Sequence, residues 1–340
     1  MKLDAALMIE GRRLGQAGTI AQAAEAAGFD ALWTSETRHN PFLPLVPAAA
    51  STTRALLGTS VAIAFPRSPM VMAQLAWDLQ AASNGRFILG LGTQVKPHIE
   101  RRYGMAWEAP VAKLRDYIGA LRAIWGSWQR GGKLAYEGQF YTHTLMTPFF
   151  NPGPIADPRI PIYIAGVNEG LARLAGETCD GFHAHPFHSA QYLRTQLRPQ
   201  IAESALAHGR DPQQIAIASS VFIISGPDAA TIAGMTQFVR DQIAFYASTP
   251  TYRTVLACHG WEAVGERLSE LAAAKRWGEM GALIDDDMLD VFAVRAPLDG
   301  LGSALRTRYD GLLDRVAPYM PYEPGPLDAV WRRVAAELAE

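Results

Sequence analysis

The chain has 340 residues, 49% hydrophobic and 19% charged, enough for one large α/β domain or two small ones. A formal net charge of −2 excludes bulk attraction to nucleic acid or to an anionic membrane surface. The opening Met1-Lys-Leu-Asp lacks the charged region followed by an apolar run that a signal peptide needs, no stretch reaches spanning length, and Cys179 and Cys258 need not pair, so a cytoplasmic protein with free thiols and no membrane segment is expected.

The elements alternate. Leu3 to Ile9 is an apolar run with Asp4 inside it, and Ile20 to Ala27 is helical, stopped by Gly28. Ala31 to Ser35 is a second strand, and Leu56 to Phe65 a third. Met70 to Ala82 has helical spacing, and Arg86 to Gly92 is a fourth strand ending in glycines. Val111 to Trp125 is an amphipathic helix, and Ile160 to Ala165 is strand five. Leu171 to Thr178 is helical, Gly181 to His185 is strand six, and Ile215 to Ser225 is strand seven. Val291 to Val294 reads as strand eight, and a helix from Leu301 to Val316 closes the series. Eight strands alternating with helices predict a (β/α)₈ TIM barrel of the α/β class, a single domain over 1–340. A doubly wound sheet is the alternative, but no Gly-x-Gly-x-x-Gly follows the first strand. Two segments, about 128–159 and 231–260, break the rhythm and read as insertions walling the C-terminal mouth.

Several strand ends carry polar groups, where parallel α/β folds bind ligands. Gly166 to Gly170 leads into a helix whose free N–H groups suit a phosphate, although Asn168 also serves as a plain cap. Glu36, Thr37 and His39 follow the second strand and either face the mouth or form a solvated loop with Glu36 paired to Arg38. His183, His185 and His188 give the sole hint of a metal site; no metal is expected, and His185 reads better as a mouth-lining hydrogen-bond donor. Asp285-Asp-Asp287 reads as a loop or helix start. Lys96, Arg101 and Arg102 receive an anionic tail or form a solvated face.

Four motifs in order, Gly58-Thr-Ser-Val with Pro66-Arg-Ser-Pro69, Ser83 to Gly92, Tyr163-Ile-Ala-Gly-Val and Ala175 to Gly181, resemble the bacterial-luciferase-like superfamily of flavin- and deazaflavin-dependent oxidoreductases. The chain is most similar to the branch dependent on coenzyme F420. The resemblance implies a flavin-type ring at the barrel mouth, backed by a non-prolyl cis peptide at Ser60–Val61. It implies that Thr93 and His98 lie beside the cofactor and that Gly166, Val167, Asn168 and Gly170 form a phosphate turn. Relatives carry a histidine directly after the acid of the second strand; here Thr37 follows Glu36 and His39 comes two residues later.

The expected activity is hydride transfer by F420 to or from a small apolar substrate, with Glu36, Thr37, His39 and His185 as candidate catalytic residues. The alternative is an FMN-dependent two-component monooxygenase using O2. A flavin or F420 reductase and a second copy in a homodimer are the expected partners. A flavin-holding barrel without turnover and a metal-dependent hydrolase are weaker readings.

Overall fold

The computed structural model describes residues 1–9 and 11–340, without the side chain of Arg12. Eight parallel strands close a ring: β1 (Lys2–Ala6), β2 (Ala31–Thr34), β3 (Leu56–Thr59), β4 (Phe87–Gly92), β5 (Ile162–Gly166), β6 (Gly181–Ala184), β7 (Ala216–Ile224) and β8 (Arg315–Pro318). Each pairs with the next, and β8 pairs back onto β1 through Lys2 with Arg315 and Leu3 with Val316. This is a TIM barrel. All six residues of β4 are buried, as expected for a parallel strand covered on both faces.

Three expected elements differ. The third strand breaks after Thr59 at a cis Ser60–Val61 bond and resumes as Ala62–Ile63, which pairs with Leu91 and Gly92. Val291 to Val294 is not a barrel strand: Ala293–Arg295 pairs only with Phe222–Ile224, where β7 overruns the ring. The eighth barrel strand instead begins at Arg315 and Val316, the last two residues of the expected final helix; that helix ends at Tyr309.

The helices start where local chemistry allows. Helix α1 (Ala17–Ala26) stops before Gly28, whose φ of +96° suits glycine. Helix α2 (Pro69–Ala82) has Pro69 in its first turn and Ser68 as cap, accepting from the Val71 N–H at 3.3 Å. Helix α3 (Pro110–Arg130) buries Leu114, Ile118, Leu121 and Trp125, the face expected from their spacing. Segment 128–159 carries the end of α3 and a small hairpin, Tyr136–Glu137 against Thr142–His143. It packs along the outside, with Trp77 donating to the Gly153 carbonyl and Gln129 to that of Ile155, and it contributes nothing to the mouth cavity. Segment 231–260 is mostly helical, within Ala229–Ala247 and Arg253–Ala257, and it does reach the mouth.

Among the described residues three apolar clusters result, the smallest being Ala31, Trp33, Ile88, Tyr163 and Ala218 inside the barrel. The largest lies between the barrel and most of its helices; the second joins Phe187, Phe222 and Ile224 to Val239, Ile243 and Leu268. Among the described residues no helix is long and apolar enough to cross a membrane.

Candidate active site

The C-terminal mouth holds a cavity of about 700 Å³. Its floor is the end of β3 and β4: Ser60, Val61, Gly92 and Thr93, with His183 of β6 beneath. Gly166, Val167 and Asn168 form one wall, and His185, Tyr246 and Tyr252 another. Lys96 lies at the rim, ion-paired loosely to Glu100 at 3.7 Å.

Glu36 lines this cavity, but its carboxylate is fully engaged. Arg67 grips both oxygens, at 2.7 and 2.8 Å, and the Ile63 N–H donates to Oε2 at 2.7 Å. The pair is only 7% and 15% exposed at its side chains, so little water competes. Glu36 therefore fixes the strand just beyond the cis bond, and its partner is Arg67 rather than Arg38. The signal was present in the sequence as Pro66-Arg-Ser-Pro69, but nothing there aimed Arg67 back at Glu36. Thr37 also lines the cavity, and its carbonyl accepts from the Arg102 guanidinium. His39 is exposed and borders a separate small depression with Asn40, Pro41 and Pro44. It is not a mouth residue.

Thr93 is buried at the floor and donates to the Gln94 carbonyl at 3.1 Å. His98 is exposed on the short helix Lys96–Arg101 and does not line the cavity. Asn168 caps helix α4 (Glu169–Thr178), accepting from the Leu171 N–H at 3.1 Å. The N–H groups of Glu169 and Gly170 have no place in the helical ladder and remain for an acceptor. Gly170 itself is off the cavity, facing Val111. Gly166 has no room for a side chain because Leu171 lies 2.5 Å from where its Cβ would be.

The histidines diverge. His183 sits edge-on to Trp33 at 4.8 Å; its Nδ1 lies 3.4 Å from Ser60 Oγ, and its buried Nε2 has no partner. A polar chamber of about 50 Å³ lined by Asp4, Ser60, His183 and Ser219 adjoins it, large enough for ordered water. His188 turns away, with Nε2 2.9 Å from Ser219 Oγ. His185 packs between Tyr246 and Tyr252, each centroid 4.5 Å away. The Phe187 N–H donates to His185 Nδ1 at 3.1 Å, so the neutral ring carries its proton on Nε2. Among the described residues no group of three His, Cys, Asp or Glu is placed to hold a metal.

Burial pushes all three imidazoles down to about 3; Arg315 adds to this at His183, His188 at His185 and Arg308 at His188. Their folded values lie below the unfolded value near 6.5, so the unfolded chain binds more protons beneath that pH. Stability is whole above about pH 6.5 and declines as pH falls toward 3. One unit below 6.5, each histidine costs about 1.4 kcal/mol. Urea unfolding at pH 7.5 and 5.5 is expected to show this drop, and His188→Asn to reduce it.

Under the floor, Arg315 donates to both Asp4 oxygens at 2.7 Å, and Trp33 Nε1 adds a bond of 2.8 Å. Burial pushes the Asp4 carboxyl up, against the pull of Arg315. The pair fills the barrel interior and does not line the mouth cavity.

The structural determinants fit a flat, anion-bearing ligand. A buried imidazole nitrogen stands unpartnered under the floor, glycine leaves the floor flat at position 92, and a helix start opens at one wall.

Known proteins bear on this fold. The profile of luciferase-like monooxygenases matches residues 2–315. An uncharacterized protein of Mycobacterium tuberculosis (strain ATCC 25618 / H37Rv) is 45% identical over 318 residues, 94% of this chain and 93% of its own. The coenzyme F420 dependent tetrahydromethanopterin reductase from Methanopyrus kandleri superposes at TM-score 0.78 and 18% identity, over 99% of this chain and 98% of that one. The oxygenating constituent of 3,6-diketocamphane monooxygenase from Pseudomonas putida, in complex with FMN, superposes at 0.67 and 16%, over 99% and 97%. The two solved structures share the barrel. The profile spans nearly every element from β1 into β8, and on that ground the chain belongs to the luciferase-like monooxygenase family.

Proposed function

We propose that this chain is an oxidoreductase that holds coenzyme F420 in the mouth cavity and passes hydride to or from a small apolar organic substrate. One observation carries the reading: a single cavity joins a flat floor at Val61 and Gly92, a helix start at Asn168 and the ammonium of Lys96. The floor suits a ring, the helix start a phosphate, and Lys96 a longer anionic tail. The Methanopyrus reductase, whose barrel is similar, is named for F420.

When bound, the reduced deazaflavin supplies a hydride. This chain's residues do the rest. Val61 and Gly92 set the depth of the floor, and Glu36 with Arg67 holds that strand end in place. His185 stays neutral at working pH and offers an N–H, so no activity limb from it is expected between pH 5 and 8. A separate F420 or flavin reductase supplies reduced cofactor, and the working unit is a homodimer.

The same floor and turn also suit FMN, and the Pseudomonas oxygenating constituent, whose barrel is similar, is in complex with FMN. That reading, a monooxygenase using reduced flavin and O2, gives Lys96 no tail to meet. Titration with oxidised F420 and with FMN, followed by fluorescence, separates the two. F420 is expected to bind more tightly, and Lys96→Ala to weaken it roughly 5-fold with FMN unchanged. Val167→Asp, at a position of the same turn that lines the cavity, is expected to weaken both about 100-fold by setting a carboxylate against the phosphate. Binding of neither cofactor would sink both readings.

A further inference from the structure

On the wall formed by His185, Tyr246, Thr251 and Tyr252, the imidazole of His185 presents a donor whose direction is fixed by its neighbours. Its Nδ1 accepts from Phe187, while Nε2 has no hydrogen bond within the protein and is not sealed from solvent. The ring lines the cavity, so Nε2–H is a donor open to a ligand. Its orientation is over-determined: two tyrosine rings clamp it, and Tyr246 is itself fixed by a 2.6 Å bond to the Tyr319 hydroxyl, which reaches on to Gln242.

The charges around it are equally telling. Among the described residues that line the cavity, the charged groups are Glu36 and Lys96. Arg67 neutralises Glu36 through both oxygens. Lys96 follows β4, and the β5 turn at Gly166 to Asn168 stands between it and His185, which follows β6. The wall around His185 is Pro186, Tyr246, Thr251 and Tyr252, with no charge to meet a carboxylate or phosphate. Nor do the tyrosines form a cage for a cation, since both pack against the imidazole.

We propose that His185 Nε2–H binds the oxygen of an uncharged, apolar ketone or alcohol packed along Tyr246 and Tyr252, making this wall the specificity-determining subsite. The inference rests on the reading of the mouth as the cofactor site and names the substrate class that site takes. An imidazole held neutral in this way polarises a carbonyl as a hydrogen-bond donor.

The test uses the full-length protein with and without bound cofactor. The probe is 4-fluoroacetophenone, followed by ¹⁹F NMR line broadening, with acetophenone and 4-acetylbenzoate as competitors. Saturable ketone binding is expected, with 4-acetylbenzoate competing at least roughly 10-fold more weakly than acetophenone. His185→Phe keeps the ring stack and loses the donor; ketone affinity is expected to fall roughly 5- to 10-fold. His185→Gln restores a donor and is expected to recover most of that loss. Circular dichroism and urea unfolding of both variants are expected to match wild type, which shows that they fold. Equal competition by the carboxylate, an unaltered ketone affinity in His185→Phe, or no saturable ketone binding would each overturn the proposal. A wild-type protein that binds the ketone through His185 but neither cofactor overturns the cofactor reading and leaves the subsite standing.

Discussion

A Gly90→Ala variant is expected to lose about 3 kcal/mol of stability or to fail to fold, an overpacking cost at the upper end of its usual range. The added Cβ would lie 1.8 Å from the Thr59 carbonyl oxygen and 3.1 Å from His183 Nε2. The first of these is backbone and cannot rotate aside. Thr59 also ties itself to Gly90 twice, its hydroxyl donating to the Gly90 carbonyl at 2.6 Å and accepting from the Gly90 N–H at 3.0 Å. Relief requires β3 and β4 to separate, at the cost of both bonds. Gly92→Ala behaves differently: its Cβ would meet Val61 Cγ2 at 2.6 Å, a methyl that moves with one rotamer change. That variant is expected to fold and to bind cofactor about 10-fold more weakly, because Val61 is pushed into the cavity. Chemical denaturation of the pair, with a cofactor titration of Gly92→Ala, checks both. A Gly90→Ala protein within 0.5 kcal/mol or so of wild type would refute the clash.

Arg315→Met is expected to cost about 3–5 kcal/mol, because Asp4 is left buried with Trp33 as its remaining partner. Asp4→Leu combined with Arg315→Met is expected to recover part of that loss, since an apolar pair escapes the desolvation of both charges, while a deficit of about 1–3 kcal/mol stays because Trp33 Nε1 loses its acceptor. Urea unfolding of the two singles and the double gives the cycle. A single-variant loss below about 1 kcal/mol means that the pair is hydrated from the adjoining chamber and contributes little.

The barrel class was readable because seven of its strands are short apolar runs between helical patterns. The eighth was not. Arg315-Val-Ala-Pro318 carries a guanidinium turned into the barrel and ends in proline, so it lacks the apolar signature that Phe292-Ala-Val294 shows while pairing only at a branch. At the site, Glu36, Thr37, Ser60, Val61, Thr93, His185 and the turn at Gly166 to Asn168 all line the mouth cavity. Sequence spacing does not tell which way a loop residue turns, and His39 and His98 turn outward. Nor does spacing show a long-range partner: the Arg67 grip on Glu36 spans 31 positions. The two glycines of β4 serve different purposes. Gly90 makes room for a neighbouring strand, and Gly92 alone belongs to the cavity.

The overrun of β7 has an evolutionary consequence. Because Phe222 to Ile224 leave the ring, the helices bearing Tyr246 and Tyr252 are anchored in the second cluster, apart from the one that holds the floor. Substitutions that reshape this wall draw on a separate reserve of stability, so libraries randomised at Tyr246, Thr251 and Tyr252 should yield altered substrate ranges among variants that still retain cofactor. The barrel then acts as a fixed chassis with one exchangeable face.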